Sequence, residues 1–65
     1  MNATMEARLT ARGLAPHTQI ITNGRKVEEQ TVWIYNTVSI DEHIAVNAVP
    51  LAAEGWTIVS VTPRA

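Results

Sequence analysis

The 65-residue chain has no cysteine and no phenylalanine, only three glycines and three prolines, and no surplus of either charge. Each absence excludes something. Without cysteine there is no disulfide framework and no thiolate metal site to reinforce a small core. Five Lys and Arg against six Asp and Glu give a net charge of −1, and Arg8, Arg12, Arg25, Lys26 and Arg64 are scattered. A phosphate-binding chain ordinarily carries a basic stripe, so nucleic acid is an unlikely partner. No apolar run approaches the length of a membrane span, and the N-terminal residues lack the apolar core of a secretion signal. A cytoplasmic protein is the expectation.

The apolar fraction is 46 %, which suits a globular chain, and 65 residues make one small domain near the lower limit for folding alone. Leucine is confined to Leu9, Leu14 and Leu51, and the aliphatic bias toward Ile and Val favours sheet. Small domains without covalent or metal reinforcement often gain stability by self-association. A homo-oligomer, most simply a dimer, is expected.

The stretch Leu51-Ala-Ala-Glu-Gly-Trp-Thr-Ile-Val-Ser-Val61 reads as a last helical turn, a glycine stop at Gly55 and a strand. Glycine just past a helix takes the left-handed conformation without a Cβ clash. Trp56 is then expected to be buried between helix and sheet. Trp56 and Ile58 fall on one side of the strand and Val59 and Val61 on the other, which suggests a strand covered on both faces.

Upstream, Thr18-Gln-Ile-Ile-Thr22 and Arg25-Lys-Val27 flank Asn23-Gly24. Asn-Gly between strand-like runs is the preferred type I′ hairpin turn, whose two central residues need positive φ. That turn places Thr22 opposite Arg25, Ile21 opposite Lys26 and Ile20 opposite Val27. The run Thr31 to Ile40 reads as the next strand, either continuous with residues 25–29 or broken near Glu28-Glu29-Gln30. Its even positions, Val32, Ile34, Val38 and Ile40, form an apolar face. Its odd positions present Thr31, Trp33, Tyr35, Thr37 and Ser39.

Residues 1–14 fit two patterns, and their alanine and charge content tips them toward a helix stopped at Gly13. Ala15-Pro16 breaks whatever precedes it. Ser39 or Asp41 can cap a helix beginning near Glu42, with Ile44, Ala48 and Leu51 at near-helical spacing. Pro50 predicts a kinked helix, or a second short one starting at Asn47. The whole reads as an α+β domain: a β-hairpin, then a strand–helix–strand unit whose two strands can be parallel neighbours.

Two of these stretches, Thr31-Val-Trp-Ile-Tyr-Asn-Thr-Val38 and Leu51 to Val61, resemble a small uncharacterised family from bacteria and their phages. The resemblance covers about half of the chain and implies a strand–helix–strand unit with no assigned activity. Pro50 and Thr57 depart from that family's pattern.

Chemistry is sparse. His17, Asp41, Glu42 and His43 have no metal-ligand spacing. Ser39 and Ser60 sit in no nucleophile-elbow context, and Gly13, Gly24 and Gly55 are isolated, so no phosphate loop exists. No catalytic residue, metal or cofactor is expected. Trp33 and Tyr35, two residues apart on one strand, project from one face and are the best binding candidates. They can form part of the core, meet a second subunit, or stack a planar ligand with Arg25 or Lys26 on its phosphate. A small non-enzymatic factor that binds another protein, accessory or phage-encoded, fits these features best. The alternative is an oligomeric module that binds a nucleotide or other planar molecule.

Overall fold

The computed structural model describes residues 3–64. Helix α1 (Ala3–Ala11) leads through Gly13 into β1 (Leu14–Thr22), followed by β2 (Val27–Tyr35), α2 (Ile40–Ala53) and β3 (Thr57–Pro63). The N-terminal segment is therefore helical over its described residues, while Met1 and Asn2 lie outside them. The three strands form one antiparallel sheet in the order β2-β1-β3. This is the expected α+β class, with a different neighbour relation. β2 and β3 run parallel, yet they do not touch, because β1 lies between them. The crossover helix thus spans the central strand rather than joining adjacent ones.

Strand β1 starts earlier than Pro16 suggested. Proline has no N–H to give a ladder, and a central strand ordinarily excludes it. Pro16 is tolerated because it stands one residue beyond the β3 ladder, whose last pair is His17 with Pro63. Its carbonyl still accepts the Arg64 N–H at 3.1 Å.

The hairpin differs from a type I′ turn. Thr22 pairs with Val27 and Ile20 with Glu29, so the loop holds four residues, 23–26. Gly24 has φ +90°, but among the described residues only glycines have positive φ, so Asn23 does not adopt the I′ conformation. Its side chain does the work instead: Oδ1 accepts the N–H groups of Arg25 (2.9 Å) and Lys26 (2.8 Å). This is the asparagine side chain imitating a backbone turn. A loop longer by two residues keeps each side chain on its expected face while sliding every partner by two.

Strand β2 runs unbroken through Glu28-Glu29-Gln30 and stops at Tyr35, so Val38 and Ile40 are not strand residues. Ser39 caps α2, its Oγ accepting the Glu42 N–H at 3.0 Å. The helix continues past Pro50 without interruption. Proline there forfeits the bond to the Val46 carbonyl one turn back, and Val46 is exposed, so water can take that role.

Helix α2 ends as expected. Gly55 has φ +84°, its N–H bonds to the Ala52 carbonyl at 3.0 Å, and the Trp56 N–H reaches the Leu51 carbonyl at 2.9 Å. The two bonds define a Schellman stop. Trp56 is half-buried rather than buried.

β3 is an edge strand, not an interior one. Gln19 pairs with Val61 and Ile20 with Ser60, but Ile21 pairs with Ile58, leaving Val59 as a bulge. The extra residue reverses the alternation, so Ile58 and Val61 face the same side while Val59 is exposed. This explains apolar residues at both parities without a second covering layer. The core lies on that side, between the sheet and α2, and consists of Ile21, Ile34 and Val61. Helix α2 packs mainly along β3, which leaves the β2 side of the same face less covered.

Candidate functional site

Among the described residues the core contains one buried polar side chain, Gln19, 4 % exposed. A buried amide must find partners or lose hydration uncompensated. Gln19 finds them on both sides. Its Nε2 donates to Gln30 Oε1 across the β1–β2 register at 3.1 Å, and its Oε1 meets His43 Nε2 on α2 at 2.9 Å. Asn47, one turn along the helix, places Nδ2 at 3.2 Å from His43 Nδ1 and at 2.8 Å from the His43 carbonyl. A carbonyl oxygen only accepts, so His43 Nε2 carries the proton and Nδ1 offers its lone pair to the Asn47 amide. The chain Asn47–His43–Gln19–Gln30 then runs in one donor direction from helix to sheet. Protonated His43 would set an Nδ1–H against the Asn47 N–H.

Burial, and secondarily the neighbouring His17 imidazole, hold His43 below the ordinary histidine range. His17 itself is oriented by Nδ1 donating to the Ala15 carbonyl at 2.9 Å. The sign of the stability effect follows. The unfolded chain takes up this proton near pH 6.5, before the folded chain does, so stability falls as pH drops below about 6.5 and levels once both states are protonated. Urea midpoints are expected to be flat from about pH 8 to 7 and to decline toward pH 5.5. The decline should shrink in His43→Asn; an equal slope in that variant would refute the assignment.

Beside this chain, between the C-terminal half of β2 and the first turns of α2, lies a cleft of about 300 Å³. Trp33, Ile34, Tyr35, Val38, Val46 and the polar trio Glu42, His43 and Asn47 line it. Its volume stands at the lower end for small-molecule sites, and its mixture of apolar wall and few polar groups is of that kind. Both ring nitrogens of His43 face protein partners, which leaves neither poised to move a substrate proton. Among the described residues no three His, Asp or Glu side chains gather as metal ligands, and no helix is long and apolar enough to cross a membrane.

The His43–Gln19 contact puts α2 on one face of the sheet, and the other face is turned away from it. The register places Thr18, Ile20, Val27, Glu29, Thr31, Trp33, Tyr35, Ser60 and Thr62 there. Tyr35 is 53 % exposed. Trp33 is half-buried, and its Nε1 is shielded from solvent with no partner among the described residues. The reading of this face as core does not hold for Tyr35. Arg64 reaches over it, Nη1 donating to Thr31 Oγ1 at 2.9 Å.

Trp33 and Tyr35 are thus together as expected, but Arg25 and Lys26 are not with them. They occupy the exposed loop beside Asn23 and Gly24; even Lys26, the nearer, is seven residues from Trp33 along an extended strand, or roughly 23 Å. Gly55 and Trp56 sit at the far end of α2. Sequence reasoning missed Gln19, Gln30, His43 and Asn47 as a set. His43 and Asn47 were readable as an i,i+4 pair, whereas a two-residue turn sets Gln19 against Glu28 and hides Gln30.

Comparison with protein-family models, curated proteins and solved structures finds no match.

Proposed function

We propose that this chain is a small non-enzymatic interaction protein, an accessory or phage-encoded factor that acts as a dimer and binds another protein. The observation that carries this reading is the sheet face bearing Trp33 and Tyr35, where Tyr35 is 53 % exposed. Aromatic residues are enriched at protein-recognition surfaces, and Trp and Tyr are prominent among the residues that carry their binding energy. Engagement of both His43 nitrogens supports a non-enzymatic role. A chain that folds without disulfides suits the cytoplasm, where thiols stay reduced. A photo-crosslinking residue at position 35 should capture one discrete host protein, and Trp33→Ala should reduce that capture at least tenfold. Equal capture from position 35 and from an α1 control such as Arg8 would refute the surface.

The exposure of Tyr35 beside Trp33 favours one second reading, a module that stacks a nucleotide or another planar molecule on these two rings. Arg25 and Lys26 of the same chain are too distant to meet its phosphate, so that role falls to another copy. A ligand at about 100 times its dissociation constant would add roughly 2.7 kcal/mol to stability. A thermal-shift series with adenine and guanine nucleotides reads this directly.

A further inference from the structure

We propose that two copies join edge to edge through β2, about a two-fold axis at Thr31, and that the partner subunit's Lys26 completes the cleft beside Glu42. This rests on the dimeric reading above and gives it a location and a register.

The free edge of β2 defines which groups are available. The ladder to β1 is anchored by the Asn23 N–H on the Lys26 carbonyl (3.2 Å) and the Asn36 N–H on the Gly13 carbonyl (2.8 Å). Antiparallel bonding alternates, so even-numbered residues of β2 bond β1 and odd-numbered ones point outward. Pro16 opposite Trp33 obeys this, because that pair needs no proline N–H. Val27, Glu29, Thr31 and Trp33 therefore turn their N–H and C=O groups to one edge, which ends at Tyr35, whose carbonyl already accepts the Val38 N–H at 2.9 Å. The other edge is blunted by the Val59 bulge and Pro63, devices that discourage pairing. β2 has neither bulge, proline nor lysine within it.

The edge is complementary to itself. A two-fold at Thr31 sets Val27 against Tyr35 and Glu29 against Trp33 of the partner subunit, using every outward-facing residue. Val27 is 72 % exposed in the single chain, and pairing it with an aromatic ring is a favourable cross-strand contact. Glu28 falls opposite Ile34, so no like charges meet directly. Continuing the register places the partner subunit's Lys26 beside Asn36, at the end of the cleft that Glu42 lines.

The dimensions also ask for a partner. The surface is 4744 Å² for 7.1 kDa, against roughly 4,100 Å² for a folded monomer of that mass. The excess is comparable to the ~800 Å² that each partner buries in a standard interface. The radius of gyration, 12.6 Å, likewise exceeds the roughly 10.8 Å of a compact 65-residue domain.

The chain's lack of cysteine makes the test direct. Light scattering should give twice the 7.1 kDa chain mass, and Thr31→Lys should return it to one chain with unchanged far-UV circular dichroism. Thr31→Cys should cross-link through a symmetric disulfide, since facing Cα atoms of a bonded pair lie about 5.5 Å apart. Val27→Cys should not, its copy lying roughly 27 Å away. Lys26→Glu should weaken the dimer about five- to tenfold, and Glu42→Lys in the same chain should restore it. A single-chain mass, or cross-linking at position 27 but not 31, overturns the pairing; an inert Lys26→Glu overturns the completed cleft. Capture of a host protein from position 35 by a single-chain species would retain the protein-binding surface of the proposed function and discard its dimeric form along with this interface.

Discussion

Ile21→Ala is expected to lower the stability of the domain by about 3 kcal/mol, inside the range for truncating a buried isoleucine. Ile21, 2 % exposed near the end of β1, is with Ile34 and Val61 one of three buried aliphatics among the described residues. A core this small has no second layer to collapse into the vacated volume, so the cavity term persists. A 65-residue domain holds roughly 3–10 kcal/mol in total, so the variant should be at or near the limit of folding. Urea denaturation at fixed protein concentration reads the change, with Ile21→Val, expected near 1 kcal/mol, as the graded control. Equal midpoints for wild type and Ile21→Ala would mean that the core lies elsewhere.

The sheet was legible where side-chain chemistry is local and lost where it depends on pairing. Alternation in residues 31–35 separates Ile34 from Trp33 and Tyr35, because the side-chain period of a strand does not depend on its neighbours, but it left open which of the two faces is the core. The glycine stop at Gly55 was readable for a similar reason: a positive-φ cap needs only the residues at the helix end. Strand order was not readable. Both β2 next to β3 and β1 between them bury the same residues, and the choice rests on which edges satisfy the backbone of β1. The Val59 bulge was equally hidden, since an inserted residue produces the same apolar pattern as a strand buried on both faces.

The site followed the same division. Trp33 and Tyr35 were visible as an i,i+2 pair, and they do share a face and line the cleft. Arg25 and Lys26 were grouped with them by closeness in sequence, whereas an extended strand carries neighbours apart at about 3.3 Å per residue. The Gln19–His43 chain depends on a register that only a four-residue loop produces. Asn23 makes that loop through its side chain, and Asn-Gly signals a turn without stating its length. Glutamine in a strand looks like a solvent-facing residue until a helix is laid over it.

Trp56→Ala is expected to cost about 2 kcal/mol, below the 3–5 kcal/mol for an aromatic truncated in a full core. The ring is half-buried, so part of its area is already in water and contributes nothing to folding. The backbone part of the motif should survive the substitution, because the Trp56 N–H that reaches the Leu51 carbonyl is kept in alanine. What is lost is the apolar contact that ordinarily joins the residue after the glycine to the last helical turn, here on the side of half-buried Leu51. The same reasoning ranks Trp56→Ala below Ile21→Ala despite the larger side chain, since exposure rather than size decides how much area leaves water. Trp56→Leu, which retains an apolar contact, should recover about half of the loss. Thermal denaturation of the three variants at one concentration checks the order. A Trp56→Ala protein less stable than Ile21→Ala would place the principal packing of the domain at the helix stop instead of the central strand.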